Sequence, residues 1–82
     1  MPSWYVYILR CADKSLYTGI SNHLEERIKK HNAGKGAAYT RSRKPVALVW
    51  KQRVATESRA RKREAKIKSW NRGEKLKLVR GR

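Results

Sequence analysis

Two tyrosines close to the N-terminus carry groups that can bind or deprotonate water: Tyr7 in the segment YVY and Tyr17 in the segment YTG. Both segments have the residue types of β-strands, in which side chains alternate between the two faces. The two phenols therefore share a face only if the loop between the strands has an odd number of residues. Taken alone, both residues are more simply explained as ordinary strand aromatics.

A three-residue hairpin loop would meet this condition. If Cys11 pairs with Ser15 across it, Tyr7 lies opposite Gly19 and on the same face as Tyr17. A glycine inside a strand lowers stability, so it usually marks a bulge or a close approach of another backbone or a ligand. We therefore expect Gly19 to leave room for a substrate beside the phenols.

Arg27 and His31 lie four residues apart in a predicted helix and so project from one face, beside the apolar stripe of Leu24 and Ile28. We expect both at the edge of the core. Arginine can hold a phosphate with its planar fork, and histidine can position or deprotonate water near neutral pH. The alternative is a solvated helix flank, which is the interpretation we prefer for His23.

Glu64 is a carboxylate at a position where a helix face should be apolar. In the predicted helix that carries it, Ala60, Glu64 and Ile67 form the inward face, and the other positions are rich in lysine and arginine. A carboxylate at the edge of a core needs a partner, either an arginine in a structural ion pair or a divalent cation. Mg²⁺ needs only one or two carboxylates when waters and a substrate phosphate complete its coordination.

The elements that must position these residues follow from local patterns. Segments 4–10 and 16–20 predict a β-hairpin. A helix follows, with Asn22 and Glu25 in the spacing of a capping box and Gly34 as its stop. Residues 34–45 combine glycines, hydroxyls and basic residues without an apolar period, which predicts an exposed loop.

The second half predicts a strand at 46–52 and a helix that is capped by Thr56 or Ser58 and runs to about Trp70. Gly73 should break it, and residues 74–79 form either a short last helix or a strand. This order, ββαβα plus a short C-terminal element, predicts the α+β fold class, with a three-stranded, mainly antiparallel sheet flanked by helices. Eighty-two residues suffice for one domain, residues 1–82, with one core.

The net charge of +16 and the sequence pI of about 10.9 indicate a polyanionic partner, with nucleic acid as the leading class. A membrane partner is not expected, because neither an apolar span, a wide amphipathic face nor a lipidation signal is found. The absence of a signal-peptide pattern and the single Cys11 lead us to expect a cytoplasmic location. We expect a monomer.

Two basic clusters are assigned to backbone contacts that do not depend on base sequence. The loop cluster comprises Lys35, Arg41, Arg43 and Lys44, and the helix cluster comprises Arg59, Arg61, Lys62, Arg63, Lys66 and Lys68. The alternative is a heavily charged solvated face. It is less favoured because the chain lacks the acids to balance it.

The chain resembles the GIY-YIG nuclease superfamily, and in particular its small single-domain UPF0213 group. The resemblance covers about residues 4–79 and rests on five features in order: Tyr5-Val6-Tyr7, Tyr17-Thr18-Gly19, Arg27, His31 and the ExxIK segment that begins at Glu64. The chain departs from the superfamily at Tyr5, where the wider family has glycine, and at Thr18 in the middle of the second motif. Neither position supplies the side chain that is thought to react.

The resemblance implies a compact ββαβα core with a short C-terminal helix, and phosphodiester cleavage with a single metal ion, Mg²⁺ or Mn²⁺. It implies Tyr7, Tyr17, Arg27, His31 and Glu64 as catalytic residues, with Glu64 as the metal ligand. Tyr39 is implied as a further neighbour of the site. The expected substrate-binding residues are then Gly19, Lys35, Tyr39, Arg41, Arg43 and Lys68.

The sequence supports a mechanistic hypothesis of in-line attack by water on a DNA phosphodiester. Glu64 would hold the metal, Arg27 would neutralise charge on the phosphate, and Tyr7, helped by His31, would orient or deprotonate the water. A free tyrosine has a pKa of about 10, so surrounding cations would have to lower it. Two other classes stay open: a nucleic-acid-binding module that does not cleave, and an adaptor for an acidic protein.

Overall fold

Three strands form one antiparallel sheet in the order β2-β1-β3, with helices packed against it. The computed structural model describes residues 3–81. Its elements are β1 (Trp4–Arg10), β2 (Leu16–Ser21), α1 (Leu24–Asn32), α2 (Ala38–Arg41), β3 (Ala47–Val54), α3 (Glu57–Lys68) and α4 (Arg72–Arg80). The predicted α+β class and the ββαβα order are confirmed, and the last element is a helix.

The hairpin of β1 and β2 has the register that the odd loop length requires. Cys11 donates its backbone N–H to the carbonyl of Ser15 at 2.9 Å, which closes a three-residue loop. Tyr7 lies opposite Gly19, and Leu9 lies opposite Tyr17. Because cross-strand partners share a face, the two phenols point to the same side of the sheet, as predicted.

The central strand β1 is buried on both faces, and two apolar clusters therefore flank the sheet. Val6 and Ile8 pack against Ala60 and Ile67 of α3 on one face. On the other face, Tyr7, Leu9, Cys11 and Val46 form a second cluster, against which Leu24 and Ile28 of α1 pack. The tyrosine face of the hairpin is thus covered by the helix that carries Arg27 and His31.

The first helix begins later than its sequence pattern predicts. His23 is its N-cap and makes no side-chain capping bond, so the predicted capping box of Asn22 and Glu25 is wrong. The polar group that acts locally is Ser21, whose hydroxyl accepts the His23 N–H at 2.9 Å. The predicted stop is correct, since Gly34 adopts a φ of 81° just beyond the helix end.

The predicted exposed loop at 34–45 contains a helical turn, α2, and its Thr40 is fully buried. The pattern gave no sign of this because one turn of helix has no apolar period to detect. The hydroxyl of Thr40 is buried because it bonds to the ring of His31. The segment therefore packs against α1 instead of lying free over the surface.

The C-terminal half follows the predicted helix cap but not the predicted break. Thr56 caps α3 by accepting the N–H of Arg59 at 3.2 Å. Gly73 does not end that helix; it lies in the first turn of α4, which a capping box of Asn71 and Glu74 begins. Within residues 3–81, the structure has no helix that is long and apolar enough to cross a membrane.

Candidate active site

An open cleft of about 350 Å³ lies where β1, β2, α1 and α3 approach one another. It brings together four of the five predicted catalytic side chains. These four are Tyr7, Tyr17, Arg27 and Glu64. The rest of the cleft lining comes from the same elements and their connections: Trp4, Gly19, Ile20, Ser21, Asn22, Glu57 and Arg61. The fifth, His31, lies behind the wall of the cleft in contact with Tyr7.

Tyr7 forms part of the buried wall of the cleft. Its side chain is fully buried, and its hydroxyl lies 3.0 Å from Nε2 of His31. Burial raises the pKa of Tyr7 to about 12, and the adjacent Arg27 only partly offsets this effect. The sequence hypothesis required cations to lower this pKa, and in this structure burial outweighs them, so Tyr7 is a neutral phenol at neutral pH.

His31 is more deeply buried than its position beside the apolar stripe of α1 predicts, with no exposed surface. Its Nδ1 lies 2.7 Å from Oγ1 of Thr40, and its ring makes an edge contact with Tyr17 at 5.1 Å between centroids. Burial and the positive charge of Arg27 both lower the pKa of His31. The imidazole is therefore neutral at neutral pH and bonded through both nitrogens.

Gly19 makes room for the phenols of the site. A Cβ at this position would lie 2.6 Å from the hydroxyl oxygen of Tyr7 and 3.1 Å from the ring of Tyr17. The close approach that the strand glycine indicated is thus made by these two side chains of the protein itself. A role of Gly19 toward a substrate stays a prediction.

Arg27 projects from α1 into the cleft, where it is half-buried. Its Nε is buried and has no hydrogen-bond partner among the described residues 3–81. An unsatisfied buried donor on a permanent cation is unfavourable unless an acceptor is supplied. The side chain is therefore suited to receive an anion that enters the cleft.

Glu64 reaches the cleft from α3, with 20% of its side chain exposed. Its Oε2 lies 3.1 Å from Nζ of Lys68, one turn further along the same helix. Of the two partners that the sequence suggested for Glu64, a structural ion pair is thus present, although with a lysine and not an arginine. A second carboxylate of the cleft, Glu57, is paired in the same way with Arg61.

The residues present fit a divalent cation that completes its coordination from solvent and substrate. The cleft contributes carboxylate oxygens from Glu64 and Glu57, the donor type that Mg²⁺ and Mn²⁺ prefer. In residues 3–81 there is no cluster of three or more His, Cys, Asp or Glu side chains arranged to hold a metal ion. Glu64 is the more buried of the two acids and the better placed to be a ligand.

Tyr39 and Arg43 belong to a stack beside the cleft. The ring of Tyr39 lies 5.9 Å from that of Tyr17, and the guanidinium of Arg43 lies 4.0 Å from the centre of the Tyr39 ring. Arg43 also bonds to Asp13 of the hairpin loop at 3.1 Å. Its contacts in the structure therefore hold the 34–45 segment to the hairpin.

Other predicted binding residues lie outside the cleft. Lys35 and Arg41 are exposed and do not line it. Lys68 does not line it either, but forms an ion pair with Glu64, which does. Sequence reasoning missed the contact of Thr40 with His31, and it did not place Glu57 at the site. The spacing of Glu57 and Glu64, seven residues apart, was the signal that could have placed both on one face.

Comparison with known proteins gives consistent matches over nearly the whole chain. A family model described as the GIY-YIG catalytic domain matches residues 3–77. A UPF0213 protein of Staphylococcus haemolyticus is 49% identical over 79 residues, which cover 96% of each chain. A UPF0213 protein of Staphylococcus aureus is 48% identical over 82 residues, which cover 100% of each chain.

Two solved structures share the fold. The solution NMR structure of a UPF0213 protein from Bacillus halodurans is 44% identical, has a TM-score of 0.61, and the match covers 94% of this chain and 82% of that one. A protein from E. faecalis is 37% identical with a TM-score of 0.67, over 99% and 86% of the two chains. The family is one of nuclease-type catalytic domains, and this chain belongs to it, as a GIY-YIG domain of the UPF0213 group.

Proposed function

We propose that this chain is a metal-dependent endonuclease that hydrolyses phosphodiester bonds in DNA with low sequence specificity. The observation that carries the proposal is the convergence of Tyr7, Tyr17, Arg27 and Glu64 in one open cleft. Hydrolysis of a phosphodiester requires an anion site, an oriented water and neutralisation of the charge that develops on the phosphate. Membership of the GIY-YIG family supports nuclease-type chemistry for such a cleft.

Arg27 is the proposed phosphate-binding residue. Its buried Nε lacks a partner among residues 3–81, so binding of a phosphate oxygen would satisfy a donor that the protein leaves open. The guanidinium of arginine is a permanent cation. It would therefore stabilise negative charge on the phosphate in the transition state.

Tyr7 and His31 are the proposed residues for orienting the attacking water. The phenol is neutral because burial raises its pKa to about 12. It therefore acts first as a hydrogen-bonding group on water, with the neutral His31 as its partner on the buried side. Tyr17 is half-buried beside His31 and lines the cleft, which supports a role for it in binding the same water or the phosphate.

Mg²⁺ or Mn²⁺ is the proposed cofactor, held by Glu64. When bound, the cation would polarise the phosphate and lower the pKa of its coordinated water. Glu64 must release Lys68 to take this role, and an i,i+4 pair whose lysine is half exposed contributes only about 0.3–0.5 kcal/mol. The exchange therefore meets little resistance from the protein.

The basic surface supports DNA as the polyanion. Exposed lysines and arginines follow α3 along its outer side, including Arg59, Lys62 and Lys66. Contacts of this kind bind the phosphate backbone without reading bases, and they weaken as salt rises.

We also propose that residues 1–82 form one domain that acts as a monomer in the cytoplasm. The free and buried Cys11 supports a reducing compartment such as the cytoplasm.

The proposal is tested by nicking of supercoiled plasmid and cutting of branched DNA with Mg²⁺ or Mn²⁺, and in EDTA. The variant Glu64→Gln keeps the shape of the side chain and removes its charge. We expect its metal-dependent rate to fall by more than about 100-fold, since even the outer-shell partners of a metal contribute about 10–100-fold. The matched control is Glu25→Gln, which changes an exposed acid in the first turn of α1.

Equal cleavage by the wild type and Glu64→Gln would refute the assignment, as would cleavage by the wild type that persists in EDTA. The alternative is a nucleic-acid-binding module that does not cleave, and the pairing of Glu64 with Lys68 is the observation that favours it. A pure binder would show salt-dependent affinity for DNA and no metal-dependent loss of strands.

A further inference from the structure

The segment between α1 and β3 packs against the ring of His31. Thr40 is fully buried, and its Oγ1 lies 2.7 Å from Nδ1 of the histidine. The backbone of Gly36 lies against the same ring, since a Cβ there would come within 2.6 Å of its Cγ. Both residues come from a stretch whose other members are largely exposed, so their contact with His31 is a specific feature of the segment.

The hydroxyl of Thr40 has two hydrogen-bond partners within reach, the carbonyl of Ala37 and Nδ1 of His31. Oγ1 of Thr40 also contacts the carbonyl of Ala37 at 3.2 Å, and a carbonyl can only accept. The same carbonyl also accepts the N–H of Arg41 at 3.0 Å. With the single hydroxyl proton of Thr40 directed to Ala37, its oxygen accepts at Nδ1 of His31. Nδ1 then carries the ring proton, and Nε2 has a free lone pair. Tyr7, 3.0 Å from Nε2, must donate its hydroxyl proton there.

The surroundings of the ring are consistent with a single N–H. His31 faces Tyr7 from β1, Tyr17 from β2 and Thr40 from α2, and Arg27 lies on its own helix. Burial and the charge of Arg27 both lower the pKa of His31, so the doubly protonated ring is disfavoured. The neutral ring has two tautomers, with the proton on Nδ1 or on Nε2. Thr40 contacts Nδ1, so its hydrogen bond favours one of the two.

We propose that Thr40 is a positioning residue that holds His31 in the Nδ1-protonated tautomer, so that Tyr7 donates its proton to Nε2. The hydroxyl proton of Tyr7 then points away from the cleft, and the lone pairs of its oxygen are left to accept from the adjacent Arg27 and from one water in the cleft. With the other tautomer, Nε2–H would donate to Tyr7 and occupy a lone pair of that oxygen. The catalytic consequence rests on the proposed nuclease function, and the tautomer itself does not.

The tautomer is measured directly by ¹H–¹⁵N NMR of the His31 ring at pH 7.5. The wild type and Thr40→Ser, which keeps the hydroxyl, are expected to show Nδ1 protonated and Nε2 unprotonated. Thr40→Val has nearly the same shape and lacks the hydroxyl, and it should shift the ring toward the Nε2-protonated form. An Nε2-protonated ring in the wild type would overturn the proposal, and so would an unchanged tautomer in Thr40→Val.

The same variants carry the catalytic readout. We expect kcat of Thr40→Val to fall about 10–100-fold, the range for partners that orient an active residue from behind, with KM unchanged and with recovery in Thr40→Ser. A Thr40→Val protein that loses the Nδ1 proton yet cleaves at the wild-type rate would overturn the positioning role. If Thr40→Val does not fold, the tautomers of the wild type and Thr40→Ser still decide the assignment. If the wild type does not cleave, the nuclease proposal fails while the NMR result stands.

Discussion

The two sides of the cleft differ in how far the protein satisfies its own polar groups. On the buried side, Tyr7, His31 and Thr40 have no exposed surface. His31 is hydrogen-bonded to Tyr7 through one ring nitrogen and to Thr40 through the other. On the charged side, Nε of Arg27 has no partner within residues 3–81, and Glu64 is paired with an exposed lysine. The first side is complete without a ligand, and the second side leaves a buried donor that an anion would satisfy.

This difference assigns separate physical roles to the two sides. A satisfied polar network in a low-dielectric interior is rigid, because breaking any bond leaves a buried group unpaired. An exposed ion pair is weak and is exchanged at little cost in free energy. The buried side can therefore hold one orientation of the phenol, while the charged side can release its internal partner, as the proposed binding of phosphate and metal requires.

The largest effect expected from breaking the buried side follows from Tyr7→Phe. If the phenol orients the water, the cleavage rate should fall by about 10²–10⁴-fold. Nε2 of His31 would lose its hydrogen-bond partner, so the free energy of unfolding should also fall, by about 1–3 kcal/mol. Single-turnover cleavage and urea denaturation measure the two effects.

Tyr5→Phe is the matched control for this change. Tyr5 lies two residues earlier on the same strand and does not line the cleft. Its variant should cleave at nearly the wild-type rate. If the two variants lose activity equally, the phenol of Tyr7 has no special role, and the contrast between the two sides no longer describes function.

A smaller effect is expected when the buried side is strained without removing any of its polar groups. In Gly19→Ala, the new Cβ would meet the hydroxyl oxygen of Tyr7 at 2.6 Å and its Cζ at 2.7 Å. The ring must move from its place beside His31, and overpacking of this kind lowers the free energy of unfolding by about 1–3 kcal/mol. Urea denaturation measures the loss, and the NMR shifts of the His31 ring report the displacement.

Gly73→Ala is the control for the loss of glycine as such. Gly73 is exposed in the first turn of α4, and a Cβ there meets nothing closer than 3.4 Å. This variant should be neutral or more stable by up to about 1 kcal/mol. A Gly19→Ala protein as stable as the wild type would mean that the wall of the cleft is looser than its packing indicates.

The parts of the site that the sequence predicts are those that depend on regular geometry. Strand alternation and an odd loop length place Tyr7 and Tyr17 on one face, and the register confirms it. Helical spacing places Glu64 inward beside Ala60 and Ile67. These inferences need only the period of an element and its turn length, and both can be read from a single sequence.

The parts that the sequence does not predict depend on contacts between distant segments. Thr40 lies in a polar stretch without period, and its burial follows from a bond to His31, nine residues earlier in the chain. The raised pKa of Tyr7 is likewise a product of tertiary burial, whereas the mechanistic hypothesis from the sequence required surrounding cations to lower it. The N-terminus of α1 was misplaced because Asn22 and Glu25 match a capping pattern without making its bonds.

The smallest expected effect comes from the charged side, in Lys68→Ala. Removing the lysine breaks its pair with Glu64, and for an i,i+4 pair this should change the free energy of unfolding by only about 0.3–0.5 kcal/mol. The freed carboxylate should bind Mn²⁺ at lower concentration, as paramagnetic broadening of resonances around Glu64 would report. Lys66→Ala, which removes another exposed lysine of α3, should leave both quantities unchanged. If Lys68→Ala instead lowers the free energy of unfolding by well over 1 kcal/mol, the charged side depends on its internal pairs as much as the buried side does. If it weakens Mn²⁺ binding, Lys68 has a role in binding that its exposed position does not suggest.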